Sequence, residues 1–347
     1  MSVLDERSRK ILWAVTKSYI ASNGPVGSRT VTRKYSFALS PATIRNTMAD
    51  LEELGYITQP YTSAGRIPTE RGYRLYVNSI LKKHSLAKNK RKRLLKQLSD
   101  NLPSIEKDVY KLIKEVSKTL SALSHYLGVA TPPKEEDITL KRIEFIRHER
   151  KKVFGILISE EGIIKNKIIY LEELFTQKQL NKIVRYLNNE LTGLTLGEIR
   201  IRIVSQISRE KTICNELIIN ALMLCKKLIE WETENMFHIG EISGTANLPD
   251  FANMKQIKEL FRAIEDKHLM IKLLDKMTGS EGVQVLIGSE NTISEMKELS
   301  MVGSTYNDGN RTLGTIGVIG PTRMDYEMVI PIVDLTAKTL TQILSER

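Results

Sequence analysis

The chain has 347 residues, of which 41% are hydrophobic and 27% are charged, so a wholly disordered protein is excluded. This length predicts two or three domains. The most apolar run, Leu217–Cys225, is short and contains Asn220, so no membrane-spanning helix is expected. Charged residues occupy the N-terminus, where a signal peptide would need its apolar core. We therefore expect a cytoplasmic protein that does not bind to a membrane.

The formal net charge of +11 is concentrated in the first 98 residues. Residues 1–81 carry 11 basic and 6 acidic side chains, and residues 82–98 carry 8 basic and no acidic side chains. A basic surface on one domain attracts phosphate backbones or anionic lipids. Taken alone, the run KNKRKR (Lys88–Arg93) is better explained as a solvated linker. Its meaning therefore depends on the elements that precede it.

The first 81 residues predict a helix-turn-helix followed by a hairpin. Helices are predicted over Leu4–Ala21, over Arg29–Tyr35 with Ser28 as the cap, and from Ser40-Pro41 to Glu53 or Leu54. Apolar side chains line the inner face of the third helix, namely Ile44, Met48, Leu51 and Leu54. Two short strands, a turn and a further helix are then predicted at Tyr56–Gln59, Arg66–Ile67, Pro60–Gly65 and Glu70–Leu81. This order is that of a winged helix-turn-helix.

The third predicted helix carries the residues that we expect to read DNA bases. With Ile44 buried, an advance of 100° per residue turns one set of side chains outward, with Thr43 and Asp50 on the flanks. The outward set is Ala42, Arg45, Asn46, Ala49 and Glu53. Arginine can pair with guanine, asparagine with adenine, and methyl groups with thymine.

A solvated helix face also carries Arg and Asn, but the element order and the basic charge favour DNA binding. Side chains expected at phosphates are Arg29, Ser40, Thr62, Ser63 and Arg66.

Beyond residue 100 the pattern is α+β, with strands first, helices in the middle and strands again. An apolar seam predicts a long helix over Ile105–Leu127, after which Pro132-Pro133 breaks the chain. Strands are predicted over Lys141–His148, Lys152–Ser159, Ile163–Leu171, Glu198–Ser205, Phe237–Ile242, Val283–Gly288, Ser300–Tyr306 and Thr312–Ile319. Helices are predicted over Thr176–Leu191, Thr212–Thr233, Met254–Met277 and Thr336–Ser345. A middle block that interrupts a sheet indicates an inserted subdomain.

The sequence contains no nucleotide-binding, nucleophile-elbow or zinc-protease motif, and its five histidines are scattered. The two cysteines, Cys214 and Cys225, are interpreted as small core residues. The glycines of LGTIGVIGPTRMDY are interpreted as packing and turn positions rather than as a phosphate loop. The residues that follow them, Arg323, Asp325 and Tyr326, are interpreted as a structural hydrogen-bonding corner. We therefore predict a protein that is not an enzyme and that has neither a cofactor nor a metal site.

Three segments resemble the HrcA family of heat-inducible transcription repressors. The first is LSPATIRNTMADLEELGYITQPYTSAGRIPTERGYRLYV (Leu39–Val77). The others are GVQVLIGSEN (Gly282–Asn291) and GTIGVIGPTRMDY (Gly314–Tyr326), which are similar to further signature regions of that family. The resemblance spans nearly the whole chain, and the combination of SAGRIPT with GPTRMDY is far more specific than a helix-turn-helix alone. Tyr61 stands where the family commonly has a histidine.

The resemblance implies an α+β multidomain protein with an N-terminal winged helix-turn-helix and a GAF-like α+β domain that carries an inserted dimerisation subdomain. The expected boundaries are 1–81 for the DNA-binding domain, 82–104 for a basic linker, 105–171 with 245–347 for the GAF-like domain, and 172–244 for the insert. It further implies a homodimer that represses chaperone operons by binding double-stranded DNA at an inverted-repeat operator. It also implies that a GroE-type chaperonin keeps the repressor active.

Two other functions are compatible with the residues themselves. A winged-helix repressor could respond to a small molecule held in the GAF-like domain, and an enzyme could carry an appended DNA-binding domain. The absence of a catalytic constellation in the sequence disfavours the enzyme. A dimer is expected to be held outside the DNA-binding domain, either by the Ile105–Leu127 seam or by apolar side chains of the middle helices. Those side chains are Ile213, Leu217, Leu224 and Leu228.

Overall fold

The computed structural model describes residues 4–22, 24–83, 94–96, 98, 109–171, 173–213, 216–230, 238–239, 274, 277, 282–291, 296–309 and 311–346. Several predictions fall elsewhere. The basic run Lys88–Arg93, the start of the seam at Ile105, Cys214 and most of the helix predicted over Met254–Met277 lie outside the described residues.

The N-terminal unit (residues 4–83) consists of helices and one short hairpin, in the predicted order. Its elements are α1 (Glu6–Ser22), α2 (Ser28–Lys34), α3 (Pro41–Glu53), β1 (Ile57–Thr58), β2 (Ile67–Pro68) and α4 (Glu70–Lys83). The two strands pair antiparallel, with Ile57 opposite Pro68. Apolar side chains from the first three helices meet in one core that includes Ile11, Leu12, Val15, Val31, Ile44 and Leu51. Burial of these side chains supplies most of the free energy that holds the short helices together.

Two details of the N-terminal unit differ from prediction. Ser28 is the first residue of α2 rather than its cap, because Gly27 takes the N-cap position without a side-chain hydrogen bond. Leu54 is 38% exposed instead of lining the inner face. It lies one residue beyond α3, where the chain turns through Gly55 at a φ of +73°. Leaving the helix takes the Leu54 side chain off the buried stripe.

The rest of the chain alternates between strands and helices. In chain order its elements are α5 (Val109–Ser124), β3 (Leu127–Ala130), β4 (Leu140–Glu149), β5 (Lys152–Ser159), β6 (Ile164–Tyr170), α6 (Gln177–Leu191), α7 (Leu196–Ile213), α8 (Glu216–Ile229), β7 (His238–Ile239), β8 (Gln284–Ile287), β9 (Leu299–Asn307), β10 (Thr312–Pro321) and α9 (Tyr326–Ser345).

Five of these strands form one antiparallel sheet in the order β7-β3-β10-β9-β8. Leu127 of β3 lies opposite Ile319 of β10, so the sheet joins segments that are far apart in sequence. Helices α5 and α9 pack on the sheet and on each other. Both β9 and β10 are buried along almost their whole length. The sheet is therefore part of the molecule's main core.

Strands β4, β5 and β6 form a second, separate antiparallel sheet. Helix α6 packs on β4, and α8 packs on β5, β6, α6 and α7. The expected domain of residues 105–171 and 245–347 placed these strands together with those of the first sheet. Their hydrogen bonds pair them with each other instead, and their inner face is covered by helices that follow them in the chain. The strands and the middle helices thus form one layered unit.

Helix α7 replaces the strand predicted over Glu198–Ser205. The stretch EIRIRIV alternates polar and apolar residues as a strand does, and this alternation made the prediction wrong. In the structure Ile199 and Ile203, one helical turn apart, are buried, whereas Ile201 is 75% exposed and Val204 is 64% exposed. The buried pair needs the helical period, because a strand would have put all three isoleucines on one face.

The apolar seam ends earlier than predicted. Helix α5 buries Val109, Leu112, Val116 and Leu120, but it stops at Ser124. His125 follows with a φ of +61° and turns the chain back, so that Leu127 belongs to β3. The strand Leu127–Ala130 was not predicted from the sequence.

Helix α9 begins ten residues before the predicted start at Thr336. Pro331 lies inside the helix, and a proline there argued against a helix in the sequence. The buried side chains of Val329, Ile330 and Ile332 favour the helix in the structure. Among the described residues α9 is the one helix long and apolar enough to span a membrane. Half of that apolar stretch is buried inside the protein, where it packs on β9 and α5 as a core helix does.

Candidate nucleic-acid interface

The N-terminus of α3 is fixed by a side-chain cap. Ser40 Oγ accepts a hydrogen bond from the backbone N–H of Thr43 at 3.1 Å, and Pro41 occupies the first helical position. The Thr43 hydroxyl lies 2.9 Å from the Ser40 hydroxyl. Pro41 has no N–H, and the N–H groups of Thr43 and Ile44 donate to Ser40. The Ala42 N–H and the positive end of the helix dipole are what this end of α3 offers to an anion such as a phosphate.

Burial divides α3 into two faces, as the helical period predicts. Ile44, Thr47, Met48 and Leu51 are buried against the core of the N-terminal unit. The opposite face is exposed and carries Ala42, Arg45, Asn46 and Ala49, with Thr43 half-buried at its edge. Arg45 and Asn46 make no side-chain hydrogen bond or ion pair with another described residue. Their donors and acceptors are therefore available to an external partner.

Helix α2 adds positive charge to the same unit. Arg29 is exposed in its first turn, and Arg33 and Lys34 are exposed in its last turn. None of the three forms an ion pair with a described carboxylate. Sequence reasoning singled out Arg29 and missed Arg33 and Lys34. The signal was present, since the helix SRTVTRK contains three basic residues and no acidic one.

The tip of the hairpin is held by one side chain. Gln59 Nε2 donates to the carbonyl oxygens of Thr62 and Ala64, both at 2.9 Å. Thr62 and Ser63 are exposed at this tip, and Tyr61 beside them is 62% exposed. The tip thus presents two hydroxyl groups and an aromatic ring to solvent, which are groups that can contact a DNA backbone.

Gly65 allows the hairpin to approach the loop between α1 and α2. The next residue, Arg66, exchanges two backbone hydrogen bonds of 2.9 Å with Val26. A Cβ atom at Gly65 would lie 2.5 Å from the carbonyl carbon of Val26, which is too close for any side chain. The glycine of SAGR is therefore needed for the position of the hairpin.

Arg66 differs from the other predicted phosphate contacts because it already has a partner. Its guanidinium lies 2.8 Å from the Glu52 carboxylate of α3, and both side chains are largely covered. The structure thus gives Arg66 an internal contact that ties the hairpin to α3. Arg29, Ser40, Thr62 and Ser63 remain open to solvent, as their prediction as phosphate contacts requires.

The glycines of LGTIGVIGPTRMDY lie in β10 and are in close contact with neighbouring atoms. A Cβ atom would lie 2.7 Å from the Thr131 oxygen at Gly314, 2.7 Å from the Val302 oxygen at Gly317, and 2.9 Å from the Tyr126 ring at Gly320. These contacts agree with a packing role. Within the described part of the chain, no three His, Cys, Asp or Glu side chains gather as metal ligands would.

The polar residues after those glycines form the predicted corner. Asp325 Oδ1 accepts from Met328 N at 3.2 Å and so caps α9. Tyr326 Oη donates to the Thr322 oxygen at 2.8 Å and lies 2.8 Å from Ser300 Oγ. Arg323 is only 6% exposed beside them. The corner is therefore structural.

Comparisons with known proteins agree over the whole chain. Residues 110–330 match the family model described as the HrcA protein C-terminal domain. The chain is 40% identical to the heat-inducible transcription repressor HrcA of Geobacter sulfurreducens, covering 99% of each chain. It is 39% identical to that of Syntrophobacter fumaroxidans, covering 100% of this chain and 99% of the relative. A crystal structure of a hypothetical protein has the same fold, with a TM-score of 0.67, 24% identity and 99% coverage of both chains.

Proposed function

The chain belongs to the HrcA family, and we propose on this premise that it represses transcription of heat-shock operons by binding operator DNA in the cytoplasm. The observation that carries the proposal is the exposed face of α3, where Arg45 and Asn46 have no described partner beside a capped helix N-terminus. A repressor acts by occupying DNA, so no catalytic residue is required.

We propose that the N-terminal unit is a winged helix, since its first three helices are followed by a short hairpin. In this proposal α3 is the recognition helix in the major groove, with Ala42, Thr43, Arg45, Asn46 and Ala49 facing base edges. Phosphates are contacted by the Ser40 end of the helix, by Arg29 of α2, and by Thr62 and Ser63 at the hairpin tip. Arg66 supports this surface through Glu52, because their ion pair of 2.8 Å fixes the hairpin against α3.

The remaining residues are proposed to form a GAF-like core domain and an inserted dimerisation unit. The five-stranded sheet with α5 and α9 corresponds to the core domain. We place the insert at about residues 140–229 rather than at 172–244, since β4–β6 pair with each other and pack on α6 and α8. The chain leaves the five-stranded sheet after β3 and returns to it at β7, as an insertion requires.

We propose that two copies pair through the outer face of the second sheet. Ile146, Phe154 and Ile168 lie side by side across its three strands, and Ile146 and Ile168 are 47% and 43% exposed. Ile164 and Tyr170 extend this face and are 63% and 67% exposed. This face is largely apolar, with Glu144 and Asn166 on either side of Ile156, and an exposed surface rich in apolar side chains is typical of a protein interface. A second copy fits it because an inverted-repeat operator requires a two-fold protein.

The surfaces suggested earlier for the dimer serve the chain's own core instead. Leu224 and Leu228 of α8 are 3% and 0% exposed, and the seam residues Leu112, Val116 and Leu120 are fully buried. Ile213 and Leu217 have side chains outside the described set. The sheet face therefore replaces these residues in the proposal.

The dependence on a GroE-type chaperonin is supported by the topology. Because β3 pairs with β10 and β7 pairs with β3, the five-stranded sheet cannot close until most of the chain is available. Non-local pairing of this kind folds slowly and leaves strand edges and apolar surface exposed meanwhile. Assistance during folding would then determine how much active repressor is present. Control by a small molecule in the core domain stays a prediction.

The test is a pair of DNA titrations with the purified chain. One duplex is the region upstream of the chaperone operon in the source genome, and the other is a scrambled duplex of the same length. We expect tighter binding to the first by at least about a thousandfold, as specific DNA-binding proteins show. Equal affinities for the two duplexes would contradict the proposal.

A further inference from the structure

Two family signature regions meet at the contact between the N-terminal unit and the core domain. Residues 282–291 form β8 and a following 3-10 turn, and residues 314–326 lead through β10 into α9. Both face α4. These regions are far in sequence from the exposed face of α3, and no DNA contact is proposed for them. Their contacts with α4 show what they can do.

Arg74 of α4 is held by the turn after β8. Its Nε donates to Glu290 Oε1 at 2.7 Å, its Nη2 donates to the other oxygen of the same carboxylate, and Nη2 also donates to the carbonyl oxygen of Val285 at 2.6 Å. Glu290 in turn accepts from the backbone N–H of Ile287 at 2.8 Å. This two-point pairing fixes the direction of the guanidinium as well as its position.

Glu70 makes a second two-point contact one helical turn earlier. Its carboxylate accepts from the backbone N–H of Ser289 at 2.9 Å and from the Ser289 hydroxyl. Gly288 makes this possible, since its φ is +52° and a Cβ atom there would collide with the Glu70 carboxylate. The turn therefore offers a carboxylate to Arg74 and hydrogen-bond donors to Glu70, at the spacing of one helical turn.

Apolar contacts continue the junction on either side. Tyr73 and Tyr76 of α4 are 4% and 2% exposed and belong to the main core of the molecule, not to the core of the N-terminal unit. The rings of Tyr73 and Tyr326 lie 6.3 Å apart. Lys17 of α1 adds an ion pair of 2.7 Å to Glu327 at the start of α9. Helix α4 is thus shared between the two parts of the molecule.

We infer that Glu70, Arg74, Ser289 and Glu290 form a clamp that sets the angle of the recognition helix relative to the dimer. The inference rests on the proposed function. If two copies are joined through their inserts, a rigid junction holds the two α3 helices at one separation and orientation. Binding of the first half-site then places the second helix at its half-site with a high effective concentration. The clamp residues are positioning residues, since they contact neither bases nor phosphates in this scheme.

The test compares three full-length proteins. The clamp variant carries Glu70→Gln with Arg74→Gln, which removes the charges but keeps similar side-chain volumes. The control is Arg71→Gln on the same helix, whose guanidinium contacts the Leu54 oxygen at 2.8 Å and the Tyr56 ring at 4.4 Å inside the N-terminal unit. Each is titrated with the inverted-repeat operator and with a single half-site.

We expect the clamp variant to bind the full operator about tenfold more weakly than wild type and to bind the half-site within about twofold of wild type. The control should keep the wild-type ratio between the two DNAs. An unchanged affinity of the clamp variant for the full operator would overturn the inference. An equal loss of affinity for both DNAs would also overturn it, because that result would show that the residues stabilise the N-terminal unit itself.

A measurement without DNA separates this inference from the proposed function. Spin labels are attached at Asp50→Cys on α3 and Lys338→Cys on α9, both exposed positions, in a Cys214→Ser background with excess unlabelled chain. Cys225 is buried and its pKa is raised to about 12 by burial, so it should remain unlabelled. Wild type and Arg71→Gln should give one narrow distance distribution and the clamp variant a broad one. Equal widths would overturn the clamp even if operator binding by wild type failed.

Discussion

Arg45 and Arg33 carry the same exposed guanidinium group but should contribute differently to DNA binding. Arg45 lies on the outward face of α3, whereas Arg33 lies in the last turn of α2. A base contact by Arg45 depends on the DNA sequence, and a phosphate contact by Arg33 does not. We expect Arg45→Ala to cost about 1–3 kcal/mol on the operator and little on scrambled DNA.

Titrations of both duplexes at several salt concentrations check this prediction. The matched control, Arg33→Ala, should weaken binding to both duplexes equally. It should also reduce the slope of log affinity against log salt concentration by about one unit. Equal losses on both duplexes for Arg45→Ala would show that α3 is not the reading element. Neutralising the Lys88–Arg93 run tests the linker in the same way, and no effect on either duplex would identify it as a solvated segment.

Among the residues that the structure describes, Lys165 of β6 is the one cation whose pKa is strongly perturbed, and we expect a pH effect from it. Burial lowers its pKa to about 8, although its ammonium group lies 5.1 Å from the Tyr110 ring. The unfolded chain, in which the pKa returns to about 10.4, therefore binds more protons between these two values. Stability should thus rise with pH from about 8 as the buried charge is lost.

Replacing Lys165 with methionine should remove this penalty while keeping a similar length of side chain. We expect a gain of about 1–2 kcal/mol in the free energy of unfolding at pH 7, after discounting for partial exposure. Urea unfolding of both proteins at pH 7 to 9.5 checks it. The free energy of unfolding of the wild-type chain should approach that of the variant as pH rises. A constant difference between the two free energies across this range would refute the prediction.

Residue type alone did not separate reading from supporting side chains. The helical period correctly placed Arg45 and Asn46 outside and Ile44 inside, because it needs only the spacing along one helix. Arg66 was expected at a phosphate, and its pairing with Glu52 could not be foreseen. That pair joins a hairpin to a helix, and no local pattern encodes such a contact.

Among the elements, the hairpin between β1 and β2 depends on one glycine, Gly65, for its position. Gly65→Ala should shift the hairpin away from Val26, since a Cβ atom would lie 2.5 Å from that residue's carbonyl carbon. We expect a loss of about 1–3 kcal/mol in stability and weaker binding to every DNA. Thermal unfolding and DNA titration measure both effects.

Gly27→Ala is the matched control for the hairpin. Gly27 precedes α2 with a φ of −86°, and nothing lies within 4 Å of its Cβ position. Its replacement should cost less than about 1 kcal/mol and leave DNA binding unchanged. If Gly65→Ala behaved like this control, the hairpin would not be held by its approach to the α1–α2 loop.

Elements with strong local signals were predictable to within a few residues. Ser40-Pro41 marked the start of α3, and Thr176 was identified at the start of α6, where it forms a capping box with Gln179. The errors at Glu198–Ser205 and before Thr336 arose where tertiary packing outweighed the local pattern. An alternating stretch became α7, and Pro331 was accommodated inside α9.

For the whole molecule, we propose that the exposed face of the second sheet joins the two copies of the dimer. Ile168→Asp places a charge at its centre, next to Phe154 of the neighbouring strand. Burying an unpaired carboxylate in an interface should weaken the dimer by at least about 2 kcal/mol, or roughly thirtyfold. Sedimentation of the full chain at several concentrations, with far-UV dichroism to confirm folding, measures this change.

Ile201→Asp serves as the control on the opposite layer of that unit. Ile201 is 75% exposed on α7, so the charge costs little in a single chain. A dimer that survives Ile201→Asp and dissociates with Ile168→Asp supports the sheet face. Dissociation by Ile201→Asp alone would move the interface to the helices.

The topology of the whole chain should also limit how much of it refolds to an active state. Refolding from denaturant should return only part of the operator-binding activity, and a GroE-type chaperonin with ATP should raise that part. The reason is the late closure of the five-stranded sheet, which pairs Leu127 with Ile319. Band-shift assays during refolding measure the active fraction. Equal active fractions with and without chaperonin would contradict the expectation.

The strand pairing was the part of the molecule least accessible from sequence. Strands at 140–170 and at 284–321 were recognised, but their division between two sheets depends on contacts made across the chain. The same is true of the contact between α4 and the turn after β8, where Arg74 meets Glu290. The family resemblance identified the segments that contain Arg74 and Glu290 as signature regions. The structure shows that these segments contact each other.

Recovery of genomic DNA fragments by the purified chain tests whether it is a sequence-specific repressor of chaperone operons. Sheared DNA from the source organism is bound, washed and sequenced, with Arg45→Ala in parallel. We expect wild type to enrich fragments that lie upstream of chaperone operons and share an inverted repeat. Arg45→Ala should lose this enrichment while still retaining DNA at low salt. Enrichment without a shared repeat, or identical enrichment by Arg45→Ala, would contradict it.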